Sequence, residues 1–201
     1  MSPASVIITA LLFVRAFTED PLVATSYGKL RGLNYTSLEG FEAHLFKRIP
    51  YAAAPVGNLR WKKPQKPEKW TEERDAKRFG PACAQGFREQ HPATGYSEDC
   101  LHINVYTSEK CRETLCPVVY YIHGGNLVYD SPVLFKDEDL VKNFVSHDVV
   151  LVTTGYRLGV FGTLCLGDEK VLPANLAMHD AIAGFHFTRE IVASFGGDKD
   201  R

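Results

Sequence analysis

The spacing of hydrophobic residues changes near the middle of the chain and divides it into two parts. In the first part, short runs of alternating apolar residues are separated by turns that carry glycine, a pattern typical of β-strands. It predicts an antiparallel meander over residues 23–26, 29–33 and 44–49. Residues 51–95 are rich in proline, lysine and glycine, but they also carry Trp61 and Trp70. We expect these two large side chains to anchor a long ordered loop.

The second part alternates strands with helices. β-branched and aromatic residues predict strands over residues 101–107, 118–122 and 149–154. Helical spacing predicts a short helix over residues 137–145, with Asp137 placed to cap its N-terminus. The apolar face of that helix comprises Leu140, Val141 and Phe144. This alternation predicts an α/β sheet with crossover helices.

A longer helix is predicted over residues 175–195. Its apolar residues recur at helical spacing, and they are Met178, Ile182, Phe185, Val192 and Phe195. Gly196 and Gly197 follow it, where the C-cap of a helix is expected.

The first hydrophobic run, residues 6–14, is too short to span a bilayer. A small residue, Ala16, follows at an acceptable cleavage position, and polar residues come next. We therefore predict a signal peptide over residues 1–16 and a secreted, extracellular protein. A hydrophobic first strand and a membrane anchor remain alternatives. No later segment has the length and hydrophobicity of a transmembrane helix.

Composition mainly excludes functions. The chain has 201 residues, of which 45% are hydrophobic and 23% charged, with a formal net charge of -1. A charge near zero gives no electrostatic reason to expect nucleic acid or an anionic membrane as a partner. The length suits one domain or part of a larger one. No cofactor is expected, and no paired ligand spacing indicates a metal site.

The five cysteines fit a secreted protein. Two bridges and one free thiol are the simplest account. Cys111 and Cys116 flank a predicted turn between strands, so a bridge there is one possibility. Asn34 begins an N-glycosylation sequon, Asn-Tyr-Thr, and we predict that it is used.

The candidate chemistry lies where the apolar run 118–122 stops at His123, Gly124 and Gly125. A buried strand that ends in two glycines allows the backbone to approach another group closely. No Gly-x-Ser-x-Gly occurs among the 201 residues, so a serine nucleophile of that type is absent from them.

Five stretches, in order, resemble the N-terminal part of a type-B carboxylesterase, the cholinesterase-like branch of the α/β-hydrolase fold. They are Ile-Pro-Tyr-Ala at 49–52 with Pro-Val-Gly-Asn-Leu-Arg-Trp at 55–61, Ser-Glu-Asp-Cys-Leu-His-Ile-Asn-Val-Tyr at 97–106, Tyr-Ile-His-Gly-Gly at 121–125, Tyr-Arg-Leu-Gly-Val-Phe-Gly at 156–162, and Phe-Gly-Gly-Asp at 195–198. The resemblance covers the chain from about residue 23 to its end.

The resemblance implies a serine carboxylesterase that hydrolyses carboxylic esters through an acyl-enzyme. The backbone N–H groups of Gly125 and Asn126 would form the oxyanion hole, and Gly124 would shape the loop. Asn126 stands where the family usually has a third glycine. His123 would have a structural part. The triad residues are not in this chain, which would stop before the nucleophile elbow and be inactive alone.

The resemblance also implies structural pairs and a domain organisation. Cys83 and Cys100 would form a disulfide. Arg60 would pair with Glu98, and Arg157 with Asp180, because isolated buried charges are costly. Residues 17–201 would be the N-terminal part of an α/β-hydrolase, a small antiparallel meander followed by a mixed, mostly parallel sheet with crossover helices.

Three functions compete. The first is a part of a secreted serine esterase whose partner is a small carboxylic ester. The second is a part of a non-catalytic, neuroligin-like adhesion ectodomain, and the third is a short product with a binding role of its own. One fold can host all three. A serine at the nucleophile position, with a later glutamate and histidine, would indicate the esterase.

Overall fold

The computed structural model describes residues 19–86 and 92–201. The predicted signal peptide, residues 1–16, lies outside the described residues. The strands are β1 (Leu22–Ala24), β2 (Lys29–Arg31), β3 (Leu33–Thr36), β4 (Glu42–Pro50), β5 (Arg74–Asp75), β6 (Ala82–Cys83), β7 (Tyr96–Ser97), β8 (His102–Thr107), β9 (Val118–Ile122) and β10 (Val150–Thr154). The helices are α1 (Glu109–Thr114), α2 (Asp137–Asn143), α3 (Gly159–Thr163) and α4 (Leu176–Ile191).

The main sheet has five strands in the order β3-β4-β8-β10-β9. Only β10 and β9 pair in parallel, and the other three pairings are antiparallel. The expectation of a mostly parallel sheet is therefore wrong for the described residues. Two parallel neighbouring strands need a long return connection, usually through a helix. In this sheet such a connection, with α2, joins only β9 to β10.

The predicted meander is divided between two sheets. Strands β1 and β2 pair antiparallel and form a separate sheet with β5, whereas β3 and β4 belong to the main sheet. Gly32 lies at the break, where a Cβ atom would come within 2.6 Å of the Phe46 ring. Alternating apolar residues predict strands, but they do not show which sheet each strand joins.

The loop over residues 51–95 includes short strands. β5 pairs with β2, and β6 pairs with β7. Its two tryptophans are anchored as predicted, because Trp61 stacks on Phe161 at 5.6 Å between ring centroids and Trp70 packs against the core.

The central strands β8 and β10 are buried on both faces. One face of the sheet packs against α4, with Phe187, Ile191 and Phe195 in the core. The other face packs against α2, through Leu140 and Val141. These layers agree with the predicted α/β class.

Helix α2 begins at Asp137, but this residue does not cap it. The N-cap position is Lys136, whose side chain makes no capping hydrogen bond. The Asp137 carboxylate instead accepts hydrogen bonds from Lys47 Nζ at 2.6 Å and from the Tyr106 hydroxyl at 3.2 Å. Because the buried Lys47 needs an anionic partner, the Asp137 carboxylate is directed to Lys47 and not to the end of the helix.

Helix α4 ends at Ile191 and continues as a 3-10 turn, Val192–Phe195. Gly196 follows with a φ of +83°, the left-handed C-cap conformation that the sequence predicts.

The predicted apolar face of α4 is partly wrong, because three of its residues are exposed: Met178, Ile182 and Phe185. The buried face combines apolar residues such as Phe187 and Ile191 with small and polar ones, including Ala177, Asp180 and Gly184. A Cβ atom at Gly184 would lie 2.4 Å from the Tyr120 hydroxyl, so close packing on the sheet requires glycine there. Hydrophobicity alone does not identify a face built in this way.

Two disulfides join Cys83 to Cys100 and Cys111 to Cys116, so both predicted bridges are confirmed. Cys165 is free and exposed. The sequence predicts a turn between strands before Cys116, but this segment is the end of α1. Ser108 caps that helix, because its hydroxyl oxygen accepts a hydrogen bond from the Cys111 N–H at 3.3 Å.

A buried histidine makes this fold sensitive to acid. Burial lowers the pKa of His102 from 6.5 to about 4; the Asp99 carboxylate opposes this shift, and Arg48 and Arg74 add to it. Within the described part of the chain, His102 Nδ1 has no hydrogen-bond partner. The unfolded chain binds this proton more readily, so the stabilisation is complete above about pH 6.5 and is lost as the pH falls towards 4.

We expect that acidification over this range costs the protein about 3 kcal/mol through His102. His102→Asn should remove that part of the pH dependence of the free energy of unfolding, measured by denaturant titration of the full-length protein. His147→Asn, at an exposed histidine, is the matched control. The prediction would be contradicted if the free energy of unfolding fell equally steeply with pH in the wild type and in His102→Asn.

Candidate active-site loop

The candidate site is the loop that follows β9, at the edge where the parallel strands β9 and β10 end. Three successive residues have a left-handed backbone, with φ values of +103° at Gly125, +58° at Asn126 and +61° at Leu127. A side chain at position 125 is excluded on two grounds, since its Cβ would lie 2.0 Å from the Tyr129 carbonyl oxygen and the φ is strained for any L-residue.

Three consecutive carbonyl groups of this loop are held by hydrogen bonds. The Tyr156 hydroxyl donates to the His123 carbonyl at 2.6 Å. His123 Nδ1 lies 2.9 Å from the Gly124 carbonyl oxygen. The Gly125 carbonyl accepts from the N–H groups of residues 128 and 129, at 2.9 and 3.2 Å.

The N–H groups of the same three peptides point away from these contacts. In a trans peptide the carbonyl of one residue and the N–H of the next are directed oppositely, so each anchored carbonyl also fixes an N–H. These are the N–H groups of Gly124, Gly125 and Asn126, and within residues 19–86 and 92–201 they donate to no protein acceptor. Gly124 and Asn126 are exposed. The loop thus holds three oriented N–H groups that no acceptor in the described part of the protein uses.

His123 is part of the framework of this loop. It is buried, and its ring stacks on Tyr156 with centroids 4.4 Å apart and planes 19° apart. Because a carbonyl can only accept, Nδ1 must carry the proton that it donates to Gly124. Burial lowers the pKa of His123, so the neutral ring is favoured. This geometry agrees with the structural part predicted for it.

The connection between β10 and α3 contacts both ends of the loop. Tyr156 bonds the first end, and the Gly159 N–H donates to the Leu127 carbonyl at 2.6 Å at the other. Between them, Arg157 makes two side-chain hydrogen bonds to the Asp180 carboxylate, both at 2.7 Å. Both side chains are buried. Burial raises the pKa of the Asp180 carboxyl, and the Arg157 guanidinium opposes that rise.

The structure also brings Arg60 and Glu98 together, with two N–O contacts at 2.5 and 2.7 Å. This pair is half-exposed, and Arg157 Nη1 donates to the Arg60 carbonyl at 2.9 Å. The two ion pairs that the sequence predicts are therefore linked through one backbone carbonyl.

Two side chains that hold the loop were not predicted from the sequence. Tyr156 lies within one of the matched stretches, but nothing in the sequence shows that its hydroxyl reaches His123. The amide of Gln85 forms hydrogen bonds with both the N–H and the carbonyl of Asp130, at 2.8 and 2.9 Å. Neither contact leaves a local pattern, because the partners are distant along the chain.

Comparison with known proteins shows the family of the chain. A model of the carboxylesterase family matches residues 19–201. The chain belongs to the carboxylesterase family. This membership implies the α/β-hydrolase fold, in agreement with the mixed sheet and its helices.

The carboxylesterase relatives are mostly longer proteins. The chain is 38% identical over 188 residues to a carboxylic ester hydrolase of Bombus ignitus, a match that covers 91% of this chain and 33% of that protein. It is 36% identical over 197 residues to a juvenile hormone esterase of Tribolium castaneum, covering 94% and 32%. Gut esterase 1 of Caenorhabditis briggsae is 35% identical over 196 residues, covering 97% and 34%. The chain spans about a third of the length of these curated relatives.

Other features of this carboxylesterase-family chain lie away from the loop. Asn34, the predicted glycosylation site, is in β3, and its Nδ2 donates to the Glu19 carbonyl at 3.2 Å. In the described part of the chain, no helix is long and apolar enough to cross a membrane. No group of three or more acidic, histidine or cysteine residues among those described could hold a metal ion.

The buried ion pair should be essential to stability. Asp180→Ala leaves the Arg157 guanidinium buried without its carboxylate, and we expect a loss of about 3–5 kcal/mol in the free energy of unfolding. Asp200→Ala is the matched control, because Asp200 pairs with Arg189 at the exposed surface. We expect at most about 1 kcal/mol for it. Equal losses of unfolding free energy in the two variants would show that the buried pair stabilises the protein no more than the exposed one.

Proposed function

We propose that this chain supplies the oxyanion-hole loop of a secreted serine carboxylesterase, which hydrolyses carboxylic esters through an acyl-enzyme. The observation that carries the proposal is the row of N–H groups at Gly124, Gly125 and Asn126, whose carbonyl partners are all anchored. Membership of the carboxylesterase family supports the choice of ester chemistry.

The loop would act on the negative charge that develops during acyl transfer. A serine oxygen attacks the ester carbonyl carbon, its proton passes to a base, and the carbonyl oxygen becomes an oxyanion. The N–H groups of Gly125 and Asn126 would donate to that oxygen. Because they are oriented before substrate arrives, no reorganisation is needed in the transition state. Loss of the alcohol leaves an acyl-enzyme, which water hydrolyses.

The nucleophile of the proposed esterase would enter beside the loop. Residues 196–201 already run alongside the start of β9, with hydrogen bonds from the Cys116 N–H to the Gly196 carbonyl and from the Val118 N–H to the Arg201 carbonyl. The bridge between Cys116 and Gly197 is parallel. A further strand in this direction would end at the same edge as His123. We propose that the serine follows such a strand.

Asn126 is the residue that favours the non-catalytic alternative, because a side chain stands where the family usually has glycine. Its φ of +58° is left-handed, a conformation that asparagine tolerates better than most residues. The loop therefore keeps its turn with asparagine present, so Asn126 does not by itself exclude the esterase. Secretion is proposed from the hydrophobic run 6–14 and is in keeping with the two disulfides.

Gly125→Ala tests the oxyanion loop in the full-length protein. The added Cβ cannot be accommodated, so the loop must move and the donors are displaced. We expect kcat for a nitrophenyl ester to fall by about 10²–10³, with little change in KM. Gly86→Ala is the control, since Gly86 has an ordinary φ and no atom of the described residues lies within 4 Å of a Cβ placed there.

The same assay separates the competing functions. Wild-type full-length protein should hydrolyse the ester and react with a fluorophosphonate at one serine, whereas the 201-residue chain alone should do neither. Absence of both reactions in the full-length protein would overturn the esterase proposal and support the adhesion alternative. An unchanged kcat in Gly125→Ala would overturn the role of the loop.

A further inference from the structure

The hydroxyl of Tyr156 controls the first peptide of the loop. It donates to the His123 carbonyl at 2.6 Å, and the Tyr156 ring stacks on the His123 ring. The His123 carbonyl belongs to the same peptide plane as the Gly124 N–H. Fixing this carbonyl therefore fixes the peptide that precedes the one carrying the Gly125 N–H, the first of the two donors proposed for the oxyanion.

The position of Tyr156 is itself determined by a rigid support. The side chain is buried, with 1% of its surface exposed. The next residue, Arg157, is held by the Asp180 carboxylate through its backbone N–H at 3.1 Å as well as through its guanidinium. Asp180 lies on α4 and is fully buried. The hydroxyl is thus placed by the core and not by a surface segment.

The other end of the loop is attached to the same connection. The Gly159 N–H donates to the Leu127 carbonyl at 2.6 Å, three residues after Tyr156. Since residues 156–159 hold both ends, a movement of this connection would displace the whole loop. The ring stack alone cannot set the peptide plane, because stacking leaves the carbonyl free to rotate about the backbone.

We propose that Tyr156 is a positioning residue for ester hydrolysis, which acts through the His123 carbonyl to orient the N–H donors before substrate binds. This inference rests on the proposed function. Tyr156 does not need to touch the substrate. A misplacement of donors well below the size of an atom is enough to slow the reaction strongly.

The test is Tyr156→Phe in the full-length protein, which keeps the ring stack and removes only the donor. We expect kcat for a nitrophenyl ester to fall by about tenfold to a hundredfold, with KM changed by less than about twofold. Affinity for a trifluoromethyl ketone, which mimics the tetrahedral intermediate, should fall by about the same factor as kcat/KM.

Tyr51→Phe is the matched control. The Tyr51 hydroxyl is also buried and donates to a backbone carbonyl at 2.8 Å, that of Gly155, the residue next to Tyr156. Its removal should cost similar stability but leave kcat within about twofold of wild type, because the Asp180 carboxylate still holds Arg157 and the Tyr156 hydroxyl still donates to the His123 carbonyl. Incorporation of para-aminophenylalanine in place of Tyr156 retains a donor on the ring and should restore most of the activity.

The readouts distinguish this inference from the proposed function. If the wild-type protein is active but Tyr156→Phe and Tyr51→Phe have the same kcat, the inference is overturned and the proposed function stands. If the wild-type protein is inactive, the proposed function fails, and Tyr156 has no reaction to assist.

Amide hydrogen exchange at residues 128 and 129, whose N–H groups donate to the Gly125 carbonyl, gives a second measure, and faster exchange in Tyr156→Phe than in Tyr51→Phe is expected. Equal exchange in both would overturn the positioning role. If Tyr156→Phe does not fold, the inference is tested by kcat of the para-aminophenylalanine variant. A loss of kcat as large as that in Gly125→Ala would overturn the inference.

Discussion

The buried pair of Arg157 and Asp180 is the interaction on which this structure depends. Two charges removed from water are tolerated only when each satisfies the other, and here the carboxylate accepts from both the guanidinium and the backbone N–H of Arg157. The pair joins the connection after β10 to the second turn of α4. Through the Arg60 carbonyl it also reaches the segment that carries the Arg60–Glu98 pair. Loss of its geometry would therefore affect several elements at once.

The shape of the candidate loop depends on the support that this ion pair provides. Left-handed φ values at the non-glycine residues Asn126 and Leu127 are unfavourable in isolation, and they persist only where surrounding contacts require them. Those contacts are the three anchored carbonyls and the attachment of Leu127 to Gly159. The arrangement places strain and oriented N–H groups in one short segment. Oxyanion stabilisation needs donors that are oriented in advance, since donors that had to reorient would lose much of their effect.

Elements that are determined by neighbouring residues could be predicted from the sequence. The predictions that failed concern features that depend on distant parts of the chain. The strand at β10 follows from a run of β-branched residues, and the end of α4 follows from Gly196, which readily adopts the φ found there. Asp137 was expected to cap α2 because it precedes an apolar stripe, but the buried Lys47, ninety residues earlier, binds its carboxylate. The buried face of α4 carries Gly184, whose packing is set by Tyr120 and not by hydrophobicity. No local pattern encodes such long-range contacts.

The most direct measurement of the central claim is a crystal structure of the full-length protein after reaction with an organophosphonate. We expect a covalent adduct on a serine beside the end of β9. We also expect a phosphoryl oxygen within about 2.7–3.1 Å of the backbone nitrogens of Gly125 and Asn126. An adduct whose oxygen faces other donors, or N–H groups of Gly125 and Asn126 that bond to the protein itself, would contradict the proposed role of the loop.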